Sequence, residues 1–164
     1  MSEAVRQVEG LYQAYGPALL VYLRRLAGRR ELAEDLLQET FVQALRGVDR
    51  LDEVVSPRAW LFTIARNVGI SALRRRRPVA ALAEDVPAAE VAGADPRLER
   101  MAQAIDKLPD KLRETLELRL RHELSYEEIA AVLSIPVGTV RSRLHHAVRQ
   151  LRDELAKDED AHAT

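Results

Sequence analysis

The apolar residues of this 164-residue chain recur at helical spacing almost throughout, and a single segment interrupts the pattern. From residue 78 to residue 96 the sequence reads PVAALAEDVPAAEVAGADP, with three Pro, one Gly, seven Ala and no apolar period. Such a composition is typical of an extended acidic linker, and the alternative is a poorly packed helix. The pattern predicts two helical domains joined by a flexible linker.

Three helices are predicted before the linker. The first ends near Gly28, the second spans about 31–48, and the third begins at Ser56-Pro57 and runs to about residue 77, with Ser as N-cap and Pro at the first helical position. Their apolar stripes are Leu11, Tyr15, Leu19, Tyr22 and Leu26; Leu32, Leu36, Phe41, Leu45 and Val48; and Trp60, Ile64, Val68 and Ala72. We interpret Trp60 as a core residue, because it shares this stripe with Ile64 and Val68.

The second half of the sequence predicts four more helices. Asp95-Pro96 opens the first, Pro109 begins the next, Ser125 and Glu128 form a capping box for the third, and the last runs from about Val137 to Leu155. The first two stripes are Leu98, Met101, Ile105 and Leu108; and Leu112, Leu116 and Leu120. The segment 157–164 is polar and is expected to be disordered. With no strand signal, the fold class is all-α.

Composition excludes several classes of function. The chain has no Cys, which rules out a disulfide framework, a thiolate zinc site and a Cys nucleophile. Its four His residues are His122, His145, His146 and His162. The adjacent pair His145-His146 would point about 100° apart on a helix, which is poor geometry for one metal ion. There is also no phosphate-binding glycine loop and no HExxH motif, so we predict no enzyme activity, no cofactor and no metal.

No apolar run approaches the ~20 residues that a membrane-spanning helix needs. The first ten residues mix charges and lack the apolar stretch of a secretory signal. We therefore predict a cytoplasmic protein with no membrane insertion.

The near balance of 25 basic and 26 acidic residues hides local patches. Residues 31–39 contain four acids and no base, whereas residues 134–152 contain four Arg, two His and no acid. Local patches of this kind indicate partners better than the total charge does.

The segment 125–151, SYEEIAAVLSIPVGTVRSRLHHAVRQL, fits a helix-turn-helix. Ala130 is small where the second helix would cross the first, residues 134–136 supply a sharp turn, and Val140 is a branched residue that would lock the pair. In this motif the second helix lies open to the major groove of DNA.

The second helix of this motif has one apolar and one polar face. At about 100° per residue, Val140, Leu144, Ala147 and Leu151 share a narrow sector. The candidate DNA-binding residues of this helix are Thr139, Arg141, Ser142, Arg143, His145, His146 and Arg149. Arg can pair with guanine edges, and Ser and His can donate to bases or phosphates. A solvated arginine-rich helix is the alternative, but the turn and the absence of acids favour DNA binding.

Motifs in both halves carry a family resemblance. The first half contains AEDLLQETFVQAL, SPRAWLFTIARN and RRRR, and the second contains LSYEEIAAVLSIPVGTVRSRL. In this order and spacing they resemble an extracytoplasmic-function (ECF) sigma factor of bacterial RNA polymerase, over about residues 10–155. The resemblance implies sigma domain 2 at residues 1–77 (a three- to four-helix bundle), the linker at 78–97, and sigma domain 4 with the helix-turn-helix at 98–164.

The resemblance also implies a division of roles. Domain 2 would bind the polymerase clamp and melt the minus-ten element, and domain 4 would read the minus-thirty-five duplex and touch the flap. The matching clamp-binding positions are Asp35, Gln38 and Glu39. The spacing of Glu31, Asp35 and Gln38 independently gives one polar face, for which a solvated surface is the alternative.

For the minus-ten element, the resemblance implies contacts along the third helix and the loop before it. The candidate residues are Leu51, Asp52, Arg58, Arg66, Asn67, Ser71 and Arg74. Asn67 would bind a base flipped out of the strand, and an amide suits that role because it can pair with a base edge. The arginines would supply salt-dependent affinity for the backbone. Trp60 could also stack on DNA, but its place in the inward stripe favours the core.

Four positions depart from the family pattern. Leu51 lies near the position of a usual Phe, Ser71 where an Asp is common, and His146 where an Arg is frequent. Ser134 replaces the usual turn Gly, which predicts strain or an altered turn. Leu cannot stack as an aromatic ring does, so the base preference at the minus-ten element is expected to differ.

The expected function is therefore a transcription initiation factor. Its expected partners are core RNA polymerase, promoter DNA and, from the family, an anti-sigma factor. The alternative is a stand-alone helix-turn-helix regulator that acts without binding the polymerase core. That alternative needs a ligand pocket or a phosphoacceptor Asp in an α/β pattern upstream of residue 78, and the sequence indicates neither.

Overall fold

The computed structural model describes residues 1–76 and 95–163, and within them every regular element is a helix. The helices are α1 Glu3–Ala27, α2 Arg30–Gly47, α3 Pro57–Arg76, α4 Pro96–Asp106, α5 Asp110–Leu120, α6 Tyr126–Leu133 and α7 Val137–His162, with a 3₁₀ helix at Val48–Glu53. The predicted all-α class is confirmed. Residues 77–94, which hold nearly all of the predicted linker, lie outside the described residues.

The chain divides into two compact units. The first contains α1, α2 and α3, which pack on one another in all three pairs, and the second contains α4, α5, α7 and most of α6. In the second unit, α4 and α5 both pack on α7.

Large side chains that are almost fully buried make the core of the first unit. Leu19 and Leu23 come from α1, and Leu61 and Phe62 from α3. The rings of Tyr22 and Phe62 meet edge to face, with centroids 5.3 Å apart. At Gly69 the two helices come so close that a Cβ atom would collide with the Leu26 side chain. A glycine therefore lets α1 and α3 touch at this point.

Helix α1 begins at Glu3, well before the first predicted apolar residue at Leu11. The Ser2 hydroxyl caps it by accepting a hydrogen bond from the Val5 amide at 3.3 Å. The predicted stop at Gly28 is confirmed, since this residue has φ 75° and its amide donates to the Arg24 carbonyl at 2.9 Å. A left-handed glycine of this kind commonly ends a helix.

One predicted core position of the first unit is wrong, and Trp60 is buried only in part. Leu45 is 41% exposed, and Ala44 is buried in its place. Trp60 is only half-buried, with its ring against Gly47, because the core side of α3 is centred on Leu61 and Phe62. A shift of one residue along a helix turns the buried face by about 100°, so the predicted stripe was displaced.

The second unit corrects three further core assignments. Leu98, Met101 and Leu120 are exposed, whereas Ala104, Leu108, Leu116 and Leu118 are buried. The buried side of α4 is set by its packing on α7, which selects the smaller Ala104 over its longer neighbours.

The start of α6 and the turn after it follow the sequence closely. The Glu128 amide donates to the Ser125 hydroxyl, and the Ser125 amide donates to Glu128 Oε1, each at 3.1 Å. At the other end, Ser134 has φ 54° and the Ile135 amide donates to the Ala130 carbonyl at 3.1 Å. This is a Schellman-type helix end with Ser where glycine is usual.

Helix α7 continues to His162, so the expectation of a disordered tail is wrong as far as that residue. Lys107, the residue directly after α4, donates through Nζ to Glu154 Oε1 on α7 at 2.7 Å. This hydrogen bond and the accompanying charge attraction raise the pKa of Lys107 and lower the pKa of Glu154 from their ordinary values. The ion pair joins α4 to the second half of α7.

Candidate functional site

The first candidate surface is the outer face of α2. Asp35, Gln38 and Glu39 are all exposed there, on the side opposite the buried Ala33, Leu37 and Ala44. The Glu39 carboxylate lies one helical turn after Asp35 and accepts a hydrogen bond from Gln43 Nε2 at 3.2 Å. The structure therefore places the three predicted clamp-binding residues on one acidic surface.

Sequence reasoning missed the apolar continuation of this surface. Val42 is 44% exposed and Leu45 is 41% exposed. They follow Asp35 and Gln38 by seven residues each, which is two helical turns and the same face. That spacing was the available signal, but Leu45 was assigned to the core. We call Asp35, Gln38, Glu39, Val42 and Leu45 together the α2 face.

The predicted loop before α3 is largely a 3₁₀ helix. Within it Leu51 is half-buried and Asp52 is exposed. Ser56 then caps α3 by accepting a hydrogen bond from the Ala59 amide at 3.0 Å. The loop is thus short and fixed at both ends, and Leu51 reaches solvent only in part.

The second candidate surface is the outer face of α3. Asn67, Ser71 and Arg74 are exposed and follow one another at helical spacing. Arg58 and Arg66 are half-buried. The twenty residues of α3 contain no acid, so the whole helix presents positive charge and neutral donors. This surface can bind phosphates and one base edge without repulsion from neighbouring carboxylates.

The third candidate surface is the first half of α7. Val140, Leu144, Ala147 and Leu151 are buried, as predicted from their spacing. The exposed residues of the opposite side are Arg141, Ser142, His145, His146 and Arg149, while Thr139 and Arg143 are half-buried. All seven candidates lie on one helix, in the position of the second helix of a helix-turn-helix.

The His145 and His146 rings lie with centroids 6.0 Å apart. Among the described residues, no group of three or more His, Cys, Asp or Glu side chains is arranged to hold a metal ion. None of the helices described is long and apolar enough to cross a membrane.

Comparison with known families matches both halves of the chain. Residues 11–79 match the family Sigma-70 region 2, and residues 98–151 match Sigma-70, region 4. The first match holds the α2 face and the outer face of α3, and the second holds the helix-turn-helix.

Known proteins agree with these matches. The chain is 42% identical to the ECF RNA polymerase sigma factor SigE of Mycolicibacterium smegmatis, over 81% of this chain but only 55% of SigE. It is 32% identical to the RNA polymerase sigma factor YlaC of Bacillus subtilis, over 93% of this chain and 94% of YlaC.

Among solved structures, the chain resembles the sigma factor RpoE in complex with the anti-sigma factor NepR from Bartonella quintana. The TM-score is 0.75 at 29% identity, and the match covers 92% of this chain and 98% of RpoE. The fold, the two family matches and the near full-length likeness to YlaC lead to one conclusion. The chain belongs to the extracytoplasmic-function sigma factors of RNA polymerase.

Proposed function

We propose that this sigma factor binds core RNA polymerase through the α2 face and directs it to promoters through α3 and α7. Residues 1–77 would act as sigma domain 2, residues 78–97 as the linker, and residues 98–164 as sigma domain 4. The observation that supports the proposal best is the exposure of three surfaces of distinct chemistry in a chain of this family. One is acidic with an apolar end, and two are rich in arginine and free of acid.

The α2 face suits a basic protein partner. Carboxylates make their strongest hydrogen bonds with arginine, and an adjacent apolar patch adds burial that does not depend on salt. In the proposed complex Asp35 and Glu39 pair with basic side chains of the polymerase clamp, and Val42 and Leu45 pack beside them.

Charge reversal tests this assignment. The double substitution Asp35→Arg and Glu39→Arg should weaken assembly with core polymerase at least about 100-fold, because two attractive charge pairs become repulsive. Assembly can be measured by fluorescence anisotropy of the labelled chain. Glu3→Arg with Glu9→Arg is the matched control, since both residues are exposed on α1. Wild-type assembly by the α2 variant would contradict the proposal.

On α3, the proposal assigns Asn67 to a base extruded from the minus-ten strand. The DNA backbone would be bound by the arginines Arg58, Arg66 and Arg74. The remaining candidates, which would lie beside the extruded base, are Leu51, Asp52 and Ser71. Opening of the DNA duplex then needs no ATP, because binding to the separated strand shifts the equilibrium between closed and open DNA toward the open form. Extruding one base costs a few kcal/mol, which a few such contacts can offset.

On α7, the exposed donors would read the minus-thirty-five duplex in the major groove. Arg141 and Arg149 can each take two acceptors of a guanine edge, and a good bidentate contact discriminates between bases by about 1–3 kcal/mol. Thr139 and Arg143 are half-buried at the flanks of this face, where they can contact DNA phosphates.

Run-off transcription with core polymerase on a genomic promoter library tests both DNA surfaces together. Wild-type holoenzyme should start at a defined set of sites. Arg149→Ala should relax the base preference upstream, and Asn67→Ala should slow opening at the same sites. Gln7→Ala, an exposed change on α1, is the control. If wild-type holoenzyme started at no preferred site, the proposal would be wrong.

The proposal also includes a cytoplasmic, non-catalytic protein and a separate anti-sigma factor. Support for the last comes from the similar structure of RpoE, which was solved with NepR. A partner of that kind would silence the chain by covering the α2 face, and copurification with the α2-face variants would locate its contacts.

A further inference from the structure

Two histidines lie in the middle of the exposed side of α7. Measured from the centre of the buried side of this helix, His145 and His146 each point about 130° away, on either side of Arg149. Both histidines are exposed, and their ring centroids are 6.0 Å apart. They therefore lie within the surface that is proposed to read DNA, and not in the core.

No carboxylate neutralises the two histidines on their own helix. Among the residues that the structure describes, neither has a hydrogen bond or an ion pair, and each has a ring contact with the other alone. The charged side chains one helical turn away are those of Arg141, Arg143 and Arg149, and residues 134–152 contain no acid. The charge of the two rings is therefore not fixed by a partner on α7.

The neighbouring helices do not pair with the histidines either. Helices α4 and α5 pack on the buried side of α7. In the described parts of the chain, no acid of α4, α5 or α6 forms an ion pair with either histidine. These acids are Glu99 and Asp106 on α4, Asp110, Glu114 and Glu117 on α5, and Glu127 and Glu128 on α6. Lys107 and Arg113 are paired with Glu154 and Asp110 instead.

Protonation of the two rings would raise the charge of this surface by half. Residues 134–152 contain four arginines, the two histidines and no other charged or acidic residue. The charge of this stretch is therefore +4 when both imidazoles are neutral and +6 when both are protonated. Histidine is the side chain that ordinarily changes its charge between pH 5 and pH 8. The attraction of this surface for phosphates can consequently change near neutral pH.

We propose that His145 and His146 bind backbone phosphates of the promoter in their protonated form, so that a fall in pH from about 8 to about 6 strengthens upstream DNA binding. This inference rests on the proposed function and adds a proton-linked contact to the α7 surface. One DNA strand carries a phosphate about every 3.4 Å along its axis, so two rings 6.0 Å apart can reach the same stretch of backbone. Negative charge beside an imidazole favours the protonated form, and binding should therefore take up protons.

Holoenzyme made from the full chain and core polymerase tests the proposal. The probe is a labelled promoter fragment that wild-type holoenzyme selects from a genomic library, titrated with KCl at about pH 6 and about pH 8. The comparison is with His145→Gln and His146→Gln together, because the ratio of the two affinities cancels any titration of the polymerase itself. This ratio should favour wild type about three- to ten-fold more at the lower pH. The slope of log affinity against log salt should also steepen there, by about 0.9 for each histidine that gains a phosphate contact.

Two further variants separate charge from other effects. His145→Arg with His146→Arg keeps both charges, so at the higher pH it should already show the steeper slope that wild type shows only at the lower pH. His162→Gln is the matched control, because His162 is an exposed histidine on the same helix, about 24 Å beyond His146. This control should show the pH dependence of wild type.

Equal pH dependence of wild type and the double Gln variant would overturn the proposal. So would a ratio that favoured wild type less at the lower pH, which would show that the neutral rings bind base edges. Anisotropy of core assembly at both pH values covers the remaining case, since a difference in assembly that accounted for the whole effect would assign the histidines to polymerase. If wild-type holoenzyme selected no promoter, the proposed function itself would fail.

Discussion

At the scale of single residues, the backbone takes left-handed conformations at Glu123 and Ser134. Their φ angles are 55° and 54°, and neither residue is glycine. Such a conformation costs an ordinary residue about 1–2 kcal/mol. At Ser134 this cost is offset, because the turn directs the chain from α6 into α7 and lets the Ile135 amide donate a hydrogen bond to the Ala130 carbonyl.

Ser134→Gly should therefore raise the free energy of unfolding by about 0.5–1 kcal/mol, the relief of strain less the extra freedom of glycine in the unfolded chain. Urea denaturation of the full chain followed by circular dichroism measures it. Gly28→Ser is the reverse control and should destabilise, since Gly28 has φ 75°. A Ser134→Gly protein no more stable than wild type would show that the turn is not strained.

These two residues also show what a sequence can predict. The strained backbone at Ser134 could be predicted from the sequence, because this residue lies inside a motif whose turn usually holds glycine. The left-handed backbone at Glu123 could not, because no Gly, Asn or recognised motif marks its turn in the sequence. The hydrogen bonds that hold the turn are local, since the Leu124 amide donates to the Leu118 carbonyl and Arg119 donates to the Leu124 carbonyl at 3.0 Å.

At the scale of helices, spacing predicted which elements form but not always which side is buried. On α7 the predicted and buried faces agree. On α2 and α5 the predicted stripes include Leu45 and Leu120, which are exposed. A Leu is apolar whether it meets a neighbouring helix or a partner protein, so the sequence alone could not separate core from interface.

This ambiguity gives a prediction for the α2 face. Val42→Ser with Leu45→Ser should lower assembly with core polymerase about ten-fold or more while costing only about 1 kcal/mol of stability at each site. Anisotropy titration and urea denaturation give the two values. Val21→Ser, at a position 38% exposed on α1, should leave assembly unchanged. Loss of stability together with normal assembly would show that Leu45 stabilises the fold and does not contact the polymerase.

The ion pair between α4 and α7 predicts a pH dependence. The lowered pKa of Glu154 means that its contribution to stability is present above the ordinary glutamate value of about 4.3 and is lost as pH falls through the lower folded value. The raised pKa of Lys107 adds stability that persists below about 10.4 and disappears as pH rises through its folded value.

Lys107→Met should therefore lower the urea midpoint slightly between about pH 5 and pH 10 and converge with wild type at both extremes. Lys111→Met is the control, because Lys111 is an exposed lysine on α5. A midpoint difference that persisted below pH 3 would show that the lysine acts by packing and not by charge.

At the scale of the whole molecule, charge is segregated while the total is nearly neutral. The chain carries a formal net charge of −1, yet α3 and residues 134–152 contain no acid. Non-specific DNA binding depends on the summed field of a protein, whereas specific contacts depend on the local surface.

The free chain should consequently bind a random 30-base-pair duplex weakly, with Kd no tighter than about 1 µM at 0.15 M salt. Holoenzyme should bind its promoters far more tightly. Anisotropy with the chain alone and with core polymerase measures both, and Arg149→Ala should weaken the holoenzyme more than the free chain. Nanomolar, sequence-specific binding by the chain alone would instead favour a stand-alone regulator.

The length of α7 has a mechanical consequence. Its 26 residues span about 39 Å without a break, and about 20 Å separate Glu154, which Lys107 binds, from Arg141, which is proposed to face DNA. A tilt of only about 5° around the α4 contact would displace Arg141 by about 1.7 Å, more than a hydrogen bond to a base edge tolerates. The packing of α4 and α5 on α7 therefore sets the alignment of the end that is proposed to read DNA.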